Sequence, residues 1–441
     1  MGVATGRLPR MTNLYRSFTD EARGDCLNRY LLNRRTATDT FASLAIASLA
    51  GFAWLHSGTG PLKEMPLIGP AFSILLPLAC ALAPSWRARL LSALLYYGQC
   101  SWPVLGAIEG YWSSAAGTAA PHIALLAIGA WIGASLLLAT PWSFASTWPR
   151  ALLALALTAL PPIGLIGWES PLNAAGVFFP NSGWIGVCLT VVAVALLADL
   201  PRHRQRSSVG LLVLALIAIP LNMGYCPLPP PPDWMGVDTR IPPARWNVGR
   251  EIANWQAVIA AGTHGNRGSE PVLVFGEGLL DDWWPGTQQY IADGMRFAGV
   301  SHDSTWLIGA SAYGYDSLVA VRPGHPVRRP QTRAAAVLIG GDWLPWSQSA
   351  HIHGLRPAWW QHTFELDGQR VWASICAEQL FSWTWLEAMS TGPGRPAPTL
   401  ILALSNLWWA PPGNAAPAIQ SASTAAWARL IGVPVISAVN R

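Results

Sequence analysis

The chain has 441 residues, of which 51% are hydrophobic and only 12% charged, with a formal net charge of +5. A composition this apolar excludes a disordered chain and an ordinary soluble domain, and it points to a membrane protein with room for two or three domains. The cysteines Cys26, Cys80, Cys100, Cys188, Cys226 and Cys376 form no Cys-x-x-Cys pair and no metal-ligand spacing, so neither a disulfide framework nor a zinc site is expected.

Residues 1–38 form an arginine-rich tail (Arg7, Arg10, Arg16, Arg23, Arg29, Arg34, Arg35) with no apolar core before a cleavage site, which reads as cytoplasmic rather than as a signal peptide. Residues 39–223 carry apolar segments at about 39–56, 66–84, 90–108, 120–141, 150–168, 182–200 and 207–223, each near the ~20 residues a bilayer requires. The expectation is a multi-span α-helical bundle of about seven helices. With the N-terminus inside, 13 of the 14 basic residues before position 223 fall on the cytoplasmic side, Lys63 being the exception and the chain's only lysine.

An odd number of spans places residues 235–441 outside the cytoplasm, in the periplasm if the membrane is a bacterial inner membrane. The Pro-rich stretch 224–234 reads as a semi-rigid tether. Many of the 25 tryptophans lie beyond it, and the loop Trp168–Pro180 is more apolar than a connector needs to be; both features suit a membrane surface.

Within 235–441, short apolar runs alternate with helical spacing. Strands are expected at Val272–Phe275, Thr305–Ile308, Ser317–Val321, Val371–Ile375, Leu400–Leu404 and Val433–Ala438, and helices at 247–262, 286–299, 378–390 and 419–430. The pattern implies layered α/β architecture. Two reactive residues follow strands directly. Glu277 comes after Val272-Leu-Val-Phe-Gly276, and Cys376 ends Val371-Trp-Ala-Ser-Ile and opens a helical stretch. A thiol at a strand-to-helix turn meets free N–H groups and the positive end of a helix dipole, which favour thiolate. Strand carboxyl ends are also where open α/β sheets build sites.

The order strand–Glu277, Tyr315-Asp-Ser-Leu-Val-Ala-Val-Arg-Pro-Gly324, Gly341-Asp-Trp-Leu-Pro345, Phe364 to Cys376-Ala-Glu378, then Leu404-Ser-Asn-Leu-Trp-Trp409 resembles the carbon–nitrogen hydrolase (nitrilase) superfamily. Joined to a multi-span bundle it is similar to apolipoprotein N-acyltransferase, and the segment Ala159–Gly176 and the overall size are closer still to the TraB conjugal-transfer family. The resemblance implies a nitrilase-like αββα sandwich and a Glu-Lys-Cys triad. Glu277 would be the general base, Cys376 the nucleophile that carries an acyl group as a thioester, Glu378 the supporting glutamate, and Asp342 a second supporting acid. The family's lysine has no counterpart, and Arg333 is the nearest cation. Arginine can stabilise an oxyanion but cannot shuttle a proton at neutral pH. Losing one preorganised donor costs ~3 kcal/mol.

The sequence's last residues, Val439-Asn-Arg441, fall where the acyltransferase continues with further strands and a span, so an open sheet edge is expected there. The resemblance further implies acyl transfer from a membrane phospholipid to an amine of a lipoprotein or pilin, within a conjugation machinery. The alternative is a non-catalytic membrane component of that machinery.

Other motifs count for less. His351-x-His353 lacks a third ligand, Gly309-Ala-Ser311-Ala-Tyr lacks the second glycine of a serine elbow, and no phosphate-binding glycine loop or other cofactor motif is present. With 14 basic and 15 acidic residues after position 222, the second half gives no electrostatic basis for nucleic-acid binding.

Overall fold

The computed structural model describes residues 36–116, 121–244, 247–265, 271–281, 283–325, 330–337, 354–390 and 397–441. The apolar first half folds as helices: α1 (Thr36–Leu55), α2 (Ile68–Ser73), α3 (Leu76–Leu82), α4 (Trp86–Cys100), α5 (Pro103–Ala116), α6 (Pro121–Ser143), α7 (Trp148–Ala159), α8 (Ala174–Phe178), α9 (Gly183–Asp199) and α10 (Arg204–Met223). Three stretches, Thr36–Leu55, His122–Ser143 and Arg204–Met223, are long and apolar enough to cross a membrane, with mean hydropathies of 1.3, 2.1 and 1.7. They leave Phe41, Leu125, Leu212, Leu216 and Ile219 exposed. Such surface is unfavourable in water and acceptable in lipid, so these helices fit membrane association.

The other expected spans are shorter or broken. The segment 66–84 divides into α2 and α3, 90–108 divides where α4 ends at Cys100 and α5 begins at Pro103, and α7 stops before Leu160-Pro161-Pro162. Proline supplies the physical reason, since it lacks the N–H an interior helical position needs and disfavours helix in the residue before it. Helix α9 is unbroken but only 17 residues long, about 26 Å at the helical rise, against a ~30 Å hydrocarbon core.

The second half contains two sheets. The first has the order β1-β2-β3-β4-β5, built from β1 (Trp234–Val237), β2 (Val272–Phe275), β3 (Thr305–Ala312), β4 (Tyr315–Val321) and β5 (Thr332–Arg333). The second has the order β6-β7-β8-β9, built from β6 (Phe364–Leu366), β7 (Gln369–Ile375), β8 (Leu400–Asn406) and β9 (Val435–Asn440). Strands β1, β2 and β3 pair in parallel, as do β7, β8 and β9, while the β3–β4, β4–β5 and β6–β7 pairs are antiparallel.

Alternation along each strand assigns the faces. Val272, Val274, Leu307, Val371, Ala373, Ile375, Leu400, Leu402 and Leu404 share one core between the sheets. Leu273, Phe275, Trp306 and Ile308 point the other way, into a core with α11 (Val248–Gly265) and α12 (Pro285–Phe297). Trp372 and Ile401 point out of the second sheet towards α13 (Ser382–Met389) and α14 (Ala416–Ile431). The succession is therefore helices, sheet, sheet, helices. At the chain's last residues the edge of β9 is partly covered, because Thr239 N–H donates to Val439 O and Arg441 N–H to Thr239 O, each at 2.9 Å.

The domain does not hang on a spacer. Residues 225–231 have no regular structure, but α14 packs directly on the bundle, and one continuous core joins Trp385, Trp427 and Ile419 to Leu172, Ala175 and Phe179. Hydrogen bonds cross the same junction from Ser423 Oγ to Asn173 Oδ1 (3.0 Å), Trp184 Nε1 to Met389 O (3.0 Å) and Asn414 Nδ2 to Pro103 O (2.9 Å). The outer layer over the second sheet is thus shared between domain and bundle.

Candidate active site at the Cys376 turn

The register of β7 on β8 pairs Ile375 with Leu404, so Cys376 stands at the carboxyl end of β7 beside the end of β8. Cys376 is half-buried and has φ +47, in the left-handed region. A non-glycine residue held there costs on the order of 1–3 kcal/mol and persists only where its surroundings impose it, which is commonest at functional sites. The surroundings are specific: Gln420 Nε2 of α14 donates to the Cys376 carbonyl at 2.6 Å, and a short 3-10 turn, Cys376–Leu380, begins at the cysteine.

Glu277 reaches the same strand ends from the other sheet. It is 9% exposed, and its Oε2 accepts the Asn406 backbone N–H at 3.1 Å, where β8 ends. Two glycines permit that approach. A Cβ on Gly309 would overlap the Gly276 carbonyl and the Glu277 backbone, and one on Gly278, at φ +58, would press on Asn406 Nδ2. The Gly309–Ser311 segment therefore backs the Glu277 turn: Leu279 N–H donates to Gly309 O at 3.0 Å and Ser311 N–H to Leu280 O at 2.9 Å.

Glu378 is a buried tie. Its Oε1 accepts the backbone N–H groups of Ala335 and, at 3.1 Å, of Ala336, while Oε2 accepts that of Ile375 at 2.7 Å. The carboxyl thus joins the last residue of β7 to the segment after β5. Burial pushes its pKa from 4.5 up to about 8, against the three backbone donors, which pull it down. The unfolded chain ionises this group at lower pH than the folded one does, so the stability it contributes is full below about 4.5 and is lost as pH rises through about 8. Thermal melts of the full chain should therefore fall between pH 5 and pH 8, and Glu378→Gln should flatten that slope; equal slopes for both proteins would refute the assignment.

Of the other expected residues, Arg333 lies in β5 with its guanidinium 4.7 Å from the centre of the Tyr315 ring. Asp342 and His351-x-His353 lie outside the described residues. Sequence reading did not single out the amides that support the turn. Gln379 Nε2 donates to Leu404 O (3.0 Å) and Ser405 Oγ (3.1 Å), Thr424 Oγ1 donates to Gln379 Oε1 (2.9 Å), and Asn440 Nδ2 donates to Asn406 Oδ1 (3.2 Å). Asn406 lay within the Leu404–Trp409 segment that carried the resemblance; Gln420 and Asn440 had no local signal. The arrangement brings a thiol at the end of β7 and a carboxylate bonded at the end of β8 to neighbouring strand ends of one sheet.

No family model matches the chain. Over 303 residues it is 31% identical to a conjugal transfer protein TraB of Agrobacterium fabrum, covering 66% of each chain. Over 382 residues it is 28% identical to a probable conjugal transfer protein TraB of Sinorhizobium fredii, covering 84% of this chain and 93% of that one. These similarities support membership of the TraB family of conjugal transfer proteins.

Proposed function

We propose that the chain is a conjugation protein of the bacterial inner membrane whose second domain transfers an acyl group through Cys376. One observation carries the reading: a strained, half-buried cysteine at the end of β7, with a glutamate carboxylate hydrogen-bonded at the end of the neighbouring strand β8. The helix–sheet–sheet–helix layering is also what a carbon–nitrogen hydrolase domain implies.

The Cys376 thiol attacks the ester carbonyl of a membrane phospholipid. A C–S bond forms, the C–O ester bond breaks, and the thiol proton passes by way of Glu277 to the departing lysophospholipid oxygen. An amine of a lipoprotein or pilin then attacks the thioester. A C–N bond forms, the C–S bond breaks, and the amine's proton returns to sulfur. Glu378 positions the turn, and Arg333 supplies the site's positive charge. In this reading the shorter helices complete a seven-span bundle, thinned or tilted locally, with the N-terminus cytoplasmic and the domain periplasmic. The arginine distribution supports that orientation.

The second reading, a non-catalytic component, is favoured by the absence of any lysine from the second domain. Intact mass spectrometry of the protein purified in native lipid separates the two. An acyl-sized, hydroxylamine-labile adduct on wild type that is absent from Cys376→Ala is the expected result, with Glu277→Ala accumulating it at least roughly a hundredfold more slowly. An unmodified Cys376, together with normal conjugation by the Cys376→Ala strain, would leave the structural role.

A further inference from the structure

Two arginines converge on one tyrosine. The Arg333 and Arg356 guanidinium carbons lie 4.7 and 4.9 Å from the centre of the Tyr315 ring. Backbone pairing fixes both. Arg333 is in register with Ser317 in the β4–β5 ladder, and Arg356 N–H donates to Gly314 O at 2.9 Å. Arg296, Arg322 and Arg441 each have an aspartate within 4.0 Å, whereas among the described residues neither Arg333 nor Arg356 has a carboxylate partner. Ring contact orients a guanidinium without neutralising it, so two such groups at one ring repel each other until an anion sits between them. The anion that suits a planar N–H fork, presented in pairs, is a phosphate.

A second observation favours a lipid headgroup as the source of such an anion. Three residues after Arg356 come Trp359 and Trp360, 39% and 68% exposed and both in the left-handed region, at φ +40 and +44. The same ribbon that carries Arg356 holds them: Ala358 N–H donates to Ala334 O at 2.8 Å and Trp359 N–H to Ala335 O at 3.2 Å. Consecutive non-glycine residues in that conformation are strained, and here the Trp360 indole is turned outward, while the less exposed Trp359 ring lies with its centre 6.1 Å from that of the buried Trp383. Exposed indoles beside guanidinium groups that have no carboxylate partner among the described residues match the layering of a membrane surface, with indoles among headgroups and first methylenes and arginine at the phosphates.

We propose that Arg333, Arg356 and Tyr315 form a phosphate cradle for the headgroup of a membrane phospholipid, with Trp359 and Trp360 seated in the interface around the same lipid. The purpose of the cradle rests on the acyl-transfer reading: it holds the donor near the thiol. Residues Ala335 and Ala336 bind the Glu378 carboxyl, two residues from Cys376, so one short piece of backbone links cradle and turn. The charge of Arg333 then serves the donor's phosphate.

The test uses the full-length chain in non-ionic detergent carrying Cys376→Ala, so that binding is read without turnover and a failure of acylation leaves the result intact. Native mass spectrometry follows titration with dioctanoyl phosphatidylglycerol, dioctanoylglycerol and glycerol 3-phosphate. Phosphatidylglycerol should bind at least roughly tenfold more tightly than dioctanoylglycerol, and Arg333→Gln/Arg356→Gln should remove that difference while the melting temperature reports folding. Trp359→Ala/Trp360→Ala should weaken phosphatidylglycerol and leave glycerol 3-phosphate unchanged. Should the arginine variant prove unfolded, Arg333→Lys/Arg356→Lys, which keeps the charge but loses the fork, should still weaken phosphatidylglycerol selectively. Equal binding of the two lipids by the parent, or full retention by a folded arginine variant, overturns the cradle. Glycerol 3-phosphate binding as tightly as phosphatidylglycerol, with no effect of the tryptophan changes, overturns the lipid source.

Discussion

Glu378→Ala is expected to lower the stability of the full chain by on the order of 3 kcal/mol or more. The carboxyl is 1% exposed and accepts three backbone N–H groups, from Ile375, Ala335 and Ala336. Alanine strands all three in a place water does not reach, and each unsatisfied buried donor costs about 1–3 kcal/mol. Glutamine should recover part of the loss, because its oxygen can accept the Ala335 and Ala336 pair. Its NH2 then faces the Ile375 N–H, donor against donor, and some cost remains. A thermal melt with Glu378→Ala at the wild-type midpoint would refute the role of a tie. Because Ile375 immediately precedes Cys376, reactivity of the thiol towards a maleimide probe should change in the same variants.

Gly176→Val should separate the domain from the bundle. Helix α8 approaches α14 so closely that a Cβ at position 176 would lie well inside contact distance of the Ala426 carbonyl. Backbone cannot move aside as a flexible side chain can, so the cost should exceed the ~1–3 kcal/mol usual for overpacking. The polar contacts around that approach would go with it: Arg429 donates to Gly176 O at 3.0 Å and to Asn222 Oδ1 at 2.6 Å, with its guanidinium 4.2 Å from the centre of the Tyr225 ring. The expected readout is protease cleavage within 224–234, cutting the domain from the bundle much faster than in wild type, with Gly176→Ala intermediate. An unchanged cleavage rate in the valine variant would mean that the junction does not hold the domain.

The segment holding Gly176 illustrates what a sequence can and cannot convey. The stretch Ala159–Gly176 resembled the TraB family, yet nothing in it said that its end packs on a helix about 250 positions later, at Ser423 to Arg429. A close approach between distant elements leaves only a glycine at one position and an alanine at another, and both read as ordinary small residues. The Pro-rich stretch is silent on the same packing. Its composition suggests a spacer, and only the burial of α14 against the bundle abolishes the gap it would span.

The short apolar runs located six of the nine strands among the described residues, β2 at the expected Val272–Phe275, whereas β3 runs four residues past the expected Ile308 and β9 is shifted by two residues at each end. A continuous apolar run is a local signal of a strand buried on both faces, as β2 and β8 are. β1, β5 and β6 were missed, being two to four residues long and held by pairing rather than by pattern. The composition determined that the first half is apolar helix, but the number of helices long enough to span was decided by where prolines and tertiary packing break them. Cys376, Glu277 and Glu378 could be named from sequence because each closes or follows a recognisable strand. The left-handed turn at Cys376, the buried tie made by Glu378 and the pairing of Arg333 with Arg356 on Tyr315 were decided by the tertiary structure alone, because each depends on groups far apart in sequence brought within a hydrogen bond or a ring's width of one another.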